Sequence, residues 1–182
     1  MNEQIFRFLY SATDKFVPFD ILIVFFAQWS LYILVLAAVW MIAMEKDFKR
    51  RYYFASLTIL SVVISSGIVT PIIRYFYNNP RPYLALENIK TLIIPHESSS
   101  LPSGHMMFIV PIALAIFYFD KRVGFWFLGT TVLMGIARIM AGVHWPLDIL
   151  AGMFFGSLCF YLAKELLHLG GFNMPKARGI IS

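Results

Sequence analysis

The chain has 182 residues, 59% hydrophobic and 14% charged, with a net charge of +5 and a mean hydropathy of +0.73. Soluble domains carry about 25% charged residues, so an ordinary soluble domain is excluded and the chain is built for lipid, with no nucleic acid expected as a partner. The single cysteine, Cys159, excludes an intramolecular disulfide and is expected as a buried thiol.

Residues 2–16 set Ile5, Phe6, Phe8 and Leu9 against Glu3, Arg7, Asp14 and Lys15 at helical spacing. This predicts an amphipathic helix on the membrane surface, broken at Pro18. The first apolar span runs from about Ile21 to Met44, with Gln28 and Ser30 its only clearly polar members. It is long enough for ~30 Å of hydrocarbon. The N-terminus lacks a small-residue cleavage site, so this span is expected to act as its own signal anchor. A charged loop follows from Glu45 to Arg51. The second span, about Tyr53 to Ile73, is expected to end near Pro71, and its Ser61, Ser65, Ser66 and Gly67 suit close helix packing in lipid.

Pro80, Pro82, Pro95 and Pro102 rule out a continuous helix through residues 74–104. A short interfacial helix is expected around Leu86, Ile89, Leu92 and Ile93. The third span, His105 to Phe119, is short; the fourth runs from about Gly124 to Ala141 and the fifth from about Trp145 to Leu167. Residues 170–182 read as a polar, flexible tail. The predicted fold is all-α: a polytopic membrane helical bundle of about five transmembrane helices plus an N-terminal interfacial helix. It forms one domain over residues 1–182, with residues 1–18 interfacial and residues 74–104 an extracytoplasmic loop.

Five spans put Lys46, Lys49, Arg50, Arg51, Lys121, Arg122, Lys164, Lys176 and Arg178 on one side of the membrane. Arg7, Lys15, Arg74, Arg81, Lys90 and Arg138 fall on the other. The positive-inside rule places the first set and the C-terminus in the cytoplasm. Three polar clusters then share the outer face: Arg74 with Arg81-Pro82, Pro102-Ser103-Gly104-His105, and Arg138 with His144 and Asp148.

A charged side chain near the bilayer centre costs roughly 2.5–3.5 kcal/mol or more, so each such arginine is a functional candidate. Three guanidiniums converge only around an anion, and their planar forks suit phosphoryl oxygens. Pro102 ends the preceding segment, Ser103 can cap the next helix and Gly104 lets backbone approach a ligand. His144 and Asp148 lie four residues apart, on one helix face. A carboxylate there fixes the imidazole tautomer and leaves the other nitrogen as nucleophile or base. His105, from another helix, can donate a proton to a leaving oxygen. Competing readings are arginines that merely reach the lipid headgroups and a His144–Asp148 bond that serves packing. A metal site of His105, His144, Asp148, His96 and Glu97 is a third, disfavoured because three arginines repel a dication. The segment Glu97–Ser100 is either a lid or headgroup reader or a plain connector.

Taken together, Arg74-x6-Arg81-Pro82, Pro102-Ser103-Gly104-His105 and Arg138-x5-His144-x3-Asp148 resemble the three-part signature of the type 2 phosphatidic acid phosphatase superfamily. That superfamily also includes vanadium haloperoxidases. The resemblance covers residues 74–148 and implies a metal-independent lipid phosphatase that needs no cofactor. It implies that His144 attacks phosphorus to form a phosphohistidine, that Asp148 orients it, and that His105 protonates the leaving group and then activates water. Arg74, Arg81, Ser103, Gly104 and Arg138 would hold the phosphoryl oxygens. Arg74 stands where the family usually has Lys, and Ala137 where it often has Ser; both departures bear on substrate preference. Small members resemble undecaprenyl diphosphate phosphatases, which turn that lipid into undecaprenyl phosphate outside the cytoplasmic membrane and so serve cell-wall biogenesis. The implied partners are a lipid phosphate or diphosphate and membrane lipids. A phosphatidylglycerophosphate or phosphatidate phosphatase is the alternative. A phosphate or lipid transporter, or a binding protein, is the reading from a different class.

Overall fold

The computed structural model describes residues 1–94 and 99–173. The expectations for His96, Glu97 and Ser98, and for Lys176, Arg178 and most of the tail, lie outside these residues. Among the described residues all regular structure is helical: α1 (Asn2–Tyr10), α2 (Val17–Met44), α3 (Phe48–Phe76), the single turn α4 (Pro82–Ala85), α5 (Gly104–Phe119), α6 (Lys121–Met140) and α7 (Pro146–Leu169).

The boundaries follow from local chemistry. Asp47 and Asp120 cap α3 and α6, each carboxylate accepting two backbone N–H groups of the first turn. Pro18 and Pro146 sit in the first turns of α2 and α7, where a missing N–H costs nothing. Pro18 therefore begins a helix and does not break one. What stops α1 at Tyr10 is the turn behind it: Ser11 and Thr13 hydroxyls donate back to Phe8 and Tyr10 carbonyls, and Asp14 adopts a φ of 60°. Phe6 is fully buried, with its ring 5.2 Å from that of Trp145, so α1 is docked on the bundle.

Helices α2, α3, α6 and α7 are long and apolar enough to cross a membrane; α5, with 16 residues, is shorter. It is also the most enclosed, burying Met106, Ile109, Val110, Ile112, Ala113 and Ile116 around its whole circumference. Helix α7 lies tight against it. A Cβ on Gly152 would stand 2.6 Å from Met106 Cβ, and one on Gly156 would stand 3.2 Å from Val110 Cβ. This contact fixes the start of α5 against the start of α7, where both histidines are.

Two helices contain a π-helical segment, Phe25–Trp29 in α2 and Val63–Val69 in α3. Helix α3 does not end near Pro71 as expected but continues to Phe76. The wider winding just before Pro71 accommodates its ring and missing N–H, and the Thr70 N–H and hydroxyl both reach the Ser65 carbonyl. The expected helix around Leu86–Ile93 is absent from these residues as well. Asn88 takes a φ of 62°, Lys90 is tied through its backbone to the Tyr10 hydroxyl, and the Leu92 N–H donates to the Ala141 carbonyl at 3.2 Å. Long-range anchors there replace the local ladder that a helix needs. Ile93 packs with Ala137, Met140 and Val143.

Candidate active site

At one end of the bundle meet the last turn of α3, the start of α5, the end of α6 and the start of α7. A cavity of about 370 Å³ opens among them, lined by Arg74, Arg81, Gly104, His105, Arg138 and His144. Ser103 and Asp148 stand behind its wall, both at 0% exposure.

Each arginine is held by a carbonyl on a distant segment. Arg138 Nη1 donates to Ala27 O at 2.9 Å, Arg81 Nη1 to Val143 O at 3.2 Å, and Arg74 Nη2 to Pro102 O at 3.3 Å. A carbonyl orients a guanidinium without cancelling its charge. A Cβ on Gly104 would stand 3.2 Å from Arg74 Nη2, so glycine gives this guanidinium room to approach the start of α5 closely.

His144 is 1% exposed, with Nδ1 3.4 Å from Asp148 Oδ2. The same carboxylate oxygen accepts the Trp145 N–H at 2.8 Å and the Ser100 hydroxyl. Burial, and after it the charges of Arg138, Arg81 and Arg74, hold the His144 imidazole well below its usual pKa. The ring is therefore neutral at pH 7. With its Nδ1 proton directed at Asp148, the lone pair is on Nε2.

Two residues differ from the sequence reading. Ser103 occupies the N-cap of α5 but makes no side-chain cap bond, and its Oγ has no partner among the described residues. It contributes its backbone instead, donating its N–H to Asp148 O at 3.1 Å. Ser100 is no lid: it is fully buried, its N–H donates to Asn79 O at 2.8 Å, and its hydroxyl engages Asp148. The neighbouring Ser99 bridges to Pro80, and the Trp145 indole N–H donates to Pro80 O at 2.9 Å. Sequence reasoning missed Ser100 as a support of the His144–Asp148 pair; a run of three serines gave no sign of which one turns inward. It also missed the rest of the cavity wall, to which Gln28, Tyr32, Ser66, Ile93, Ile94 and Phe108 contribute.

Lined by both guanidiniums and apolar side chains, the cavity suits an amphipathic ligand whose head is a phosphoryl group. Fold and site define a multi-pass membrane protein with such a pocket at one end of its bundle. Residues 55–169 match the family model described as the PAP2 superfamily, and the chain belongs to that family. Bacitracin transport permease protein BcrC of Bacillus licheniformis is 29% identical over 172 residues, covering 91% of this chain and 82% of that protein. Undecaprenyl-diphosphatase BcrC of Bacillus subtilis is 26% identical over 155 residues, covering 84% and 77%. The crystal structure of Aquifex aeolicus LpxE superposes with a TM-score of 0.75 at 25% identity, covering 90% of this chain and 94% of that one.

Proposed function

We propose that this PAP2 lipid phosphatase hydrolyses the terminal phosphoanhydride of a polyprenyl diphosphate, converting undecaprenyl diphosphate to undecaprenyl phosphate through a phosphohistidine on His144. The observation that carries this reading is a buried neutral imidazole, backed by Asp148, in the same cavity as His105 and three arginines. The name of the Bacillus subtilis relative supports the choice of lipid.

In the first step His144 Nε2 attacks the terminal phosphorus. The P–N bond forms as the bond to the bridging oxygen breaks, and His105 protonates that oxygen as the lipid monophosphate leaves. The charge gathering on the equatorial oxygens is held by Arg74, Arg81 and Arg138 and by N–H groups at Gly104. Asp148 stabilises the imidazolium that carries the phosphoryl group. In the second step His105 takes a proton from water, whose oxygen attacks the same phosphorus; inorganic phosphate leaves and His144 is restored. The charge distribution along the chain supports a site on the outer face of the cell membrane and a cytoplasmic C-terminus. The packing of α5 against α3, α6 and α7 supports one domain over residues 1–182, with residues 74–104 bearing on the site.

A transporter needs the cationic cage but has no use for two imidazoles and a supporting carboxylate, although the Bacillus licheniformis relative carries a transporter's name. The deciding experiment is phosphate release by the detergent-purified protein from undecaprenyl diphosphate, phosphatidylglycerophosphate and phosphatidate. Release fastest from the diphosphate, and undiminished by EDTA, is expected. Preference for a glycerolipid would overturn the substrate, and release from none would favour the transporter.

A further inference from the structure

Gln28 and Ser66 are polar side chains well inside two apolar helices, and both line the cavity. Gln28 sits about 16 Å along α2 from its first residue, at 1.5 Å rise per residue. At that depth a polar group without a task is a net cost. The Ser66 hydroxyl oxygen is buried and has no hydrogen-bond partner among the described residues. Each residue also lies in the π segment of its helix, a winding that is rare and recurs at functional sites. In α2 that segment presents Ala27 O to Arg138 Nη1 at 2.9 Å, so the residue next to Gln28 is fastened to the cationic cage. The same cavity is also lined by the apolar Ile93, Ile94 and Phe108.

A diphosphate offers this cavity two different phosphates. The terminal one must meet His144 among the arginines. The lipid-attached one then lies between the cage and the apolar wall, and it gains negative charge as the bridging bond breaks. Neutral donors suit that place, because they strengthen as charge builds without gripping the ground state. A lipid monophosphate puts the first carbons of its chain there, for which an amide and a hydroxyl are poor neighbours.

We propose that the Gln28 amide and the Ser66 hydroxyl form a second subsite that binds the lipid-attached phosphate and sets a preference for diphosphates over monophosphates. The proposal rests on the reading of the cavity as a phosphatase site. It makes the two π segments the devices that carry polar groups to the cage from helices otherwise devoted to lipid.

The test uses farnesyl diphosphate and farnesyl monophosphate, which share one chain and differ only in the second phosphate. The full chain in detergent is compared with Gln28→Met, which keeps length but removes the donors, and with Ser66→Ala. The ratio of kcat/KM for diphosphate over monophosphate is expected to fall about tenfold in each variant, the order expected for one lost hydrogen bond to a charged group. The inhibition constant of inorganic pyrophosphate should rise about tenfold, while that of orthophosphate moves less than twofold; this arm reads the subsite even where monophosphate turnover is slow. Ser66→Ala removes a single atom and decides alone where Gln28→Met does not accumulate. An unchanged ratio, or equal losses on both substrates and both inhibitors, would overturn the subsite. A wild-type protein that releases phosphate from neither lipid would overturn the phosphatase reading beneath it.

Discussion

Both ends of the bundle carry cations, and they treat them differently. At the end away from His105 and His144, Arg50 lies 3.9 Å from Glu45 and 4.7 Å above the Phe119 ring, Arg51 covers Phe48, and Lys164 covers Tyr118. A cavity of about 270 Å³ opens there too, but Lys164 and Glu165 share it. At the other end Arg74, Arg81 and Arg138 are braced by carbonyls of Pro102, Val143 and Ala27. A carboxylate or a ring face disperses a charge, whereas a carbonyl on a distant segment fixes where each of these guanidiniums points. Cavity size therefore says little about where the chemistry is; the treatment of charge says more.

Substitution at the two ends should separate them sharply. His144→Ala is expected to lower kcat by about 10⁴-fold or more, the scale of losing a nucleophile, with substrate binding in detergent retained. His168→Ala, at the far end, should change phosphate release less than twofold. Arg138→Leu should cost about 10²–10³-fold in kcat/KM, as loss of a donor to developing oxyanion charge does. Arg50→Leu should leave kcat/KM within twofold and lower thermal stability instead, through the cation–π contact worth about 0.5–1 kcal/mol at an exposed site. Comparable activity losses at both ends would break the distinction.

A smaller effect tests the support behind His144. Ser100→Ala should reduce kcat about tenfold while KM stays within twofold, and Ser100→Thr should restore it, since only the hydroxyl bond to Asp148 is at stake. A loss confined to KM would place Ser100 against the substrate.

The smallest effect is a pH dependence of stability. His144 is held well below its usual pKa of 6.5 in the folded chain, first by burial. As pH falls through 6.5, the unfolded chain takes up a proton that the folded chain refuses, so stability is full above 6.5 and declines below it. His144→Gln does not titrate. Between pH 7.5 and 5 the melting temperature of the wild type should therefore drop relative to this variant by about 2–4 °C. A relative rise would mean that the imidazole is protonated in the folded state.

Much of this arrangement was legible in the sequence. The arginines and histidines stand at the ends of apolar runs, and an odd number of spans sends those ends to one face. What escaped depended on contacts distant along the chain. Ser100 meets Asp148 where Asn79 and Pro80 pin the backbone at Ser99 and Ser100. Ser103 is drawn in by its backbone, whose N–H donates to Asp148 O and whose carbonyl lies where a Cβ on Gly152 would come within 3.1 Å, contacts that no local pattern announces. The π segment of α2 accompanies a distant contact, Ala27 O with Arg138, whereas that of α3 has a local cause in Pro71 that reads in the sequence only as a helix end. Gln28 was visible as a polar residue in an apolar span, but its direction was not.

The proposed mechanism turns on a bond between His144 and phosphorus, and such a bond would be open to direct trapping. The purified protein is mixed with prenyl diphosphate carrying radiolabel on its terminal phosphate, quenched in base within milliseconds, and digested for peptide mapping. The account predicts base-stable, acid-labile label on the peptide containing His144, formed and lost at rates compatible with turnover. Turnover with no protein-bound label, or label that persists in His144→Ala, would contradict it.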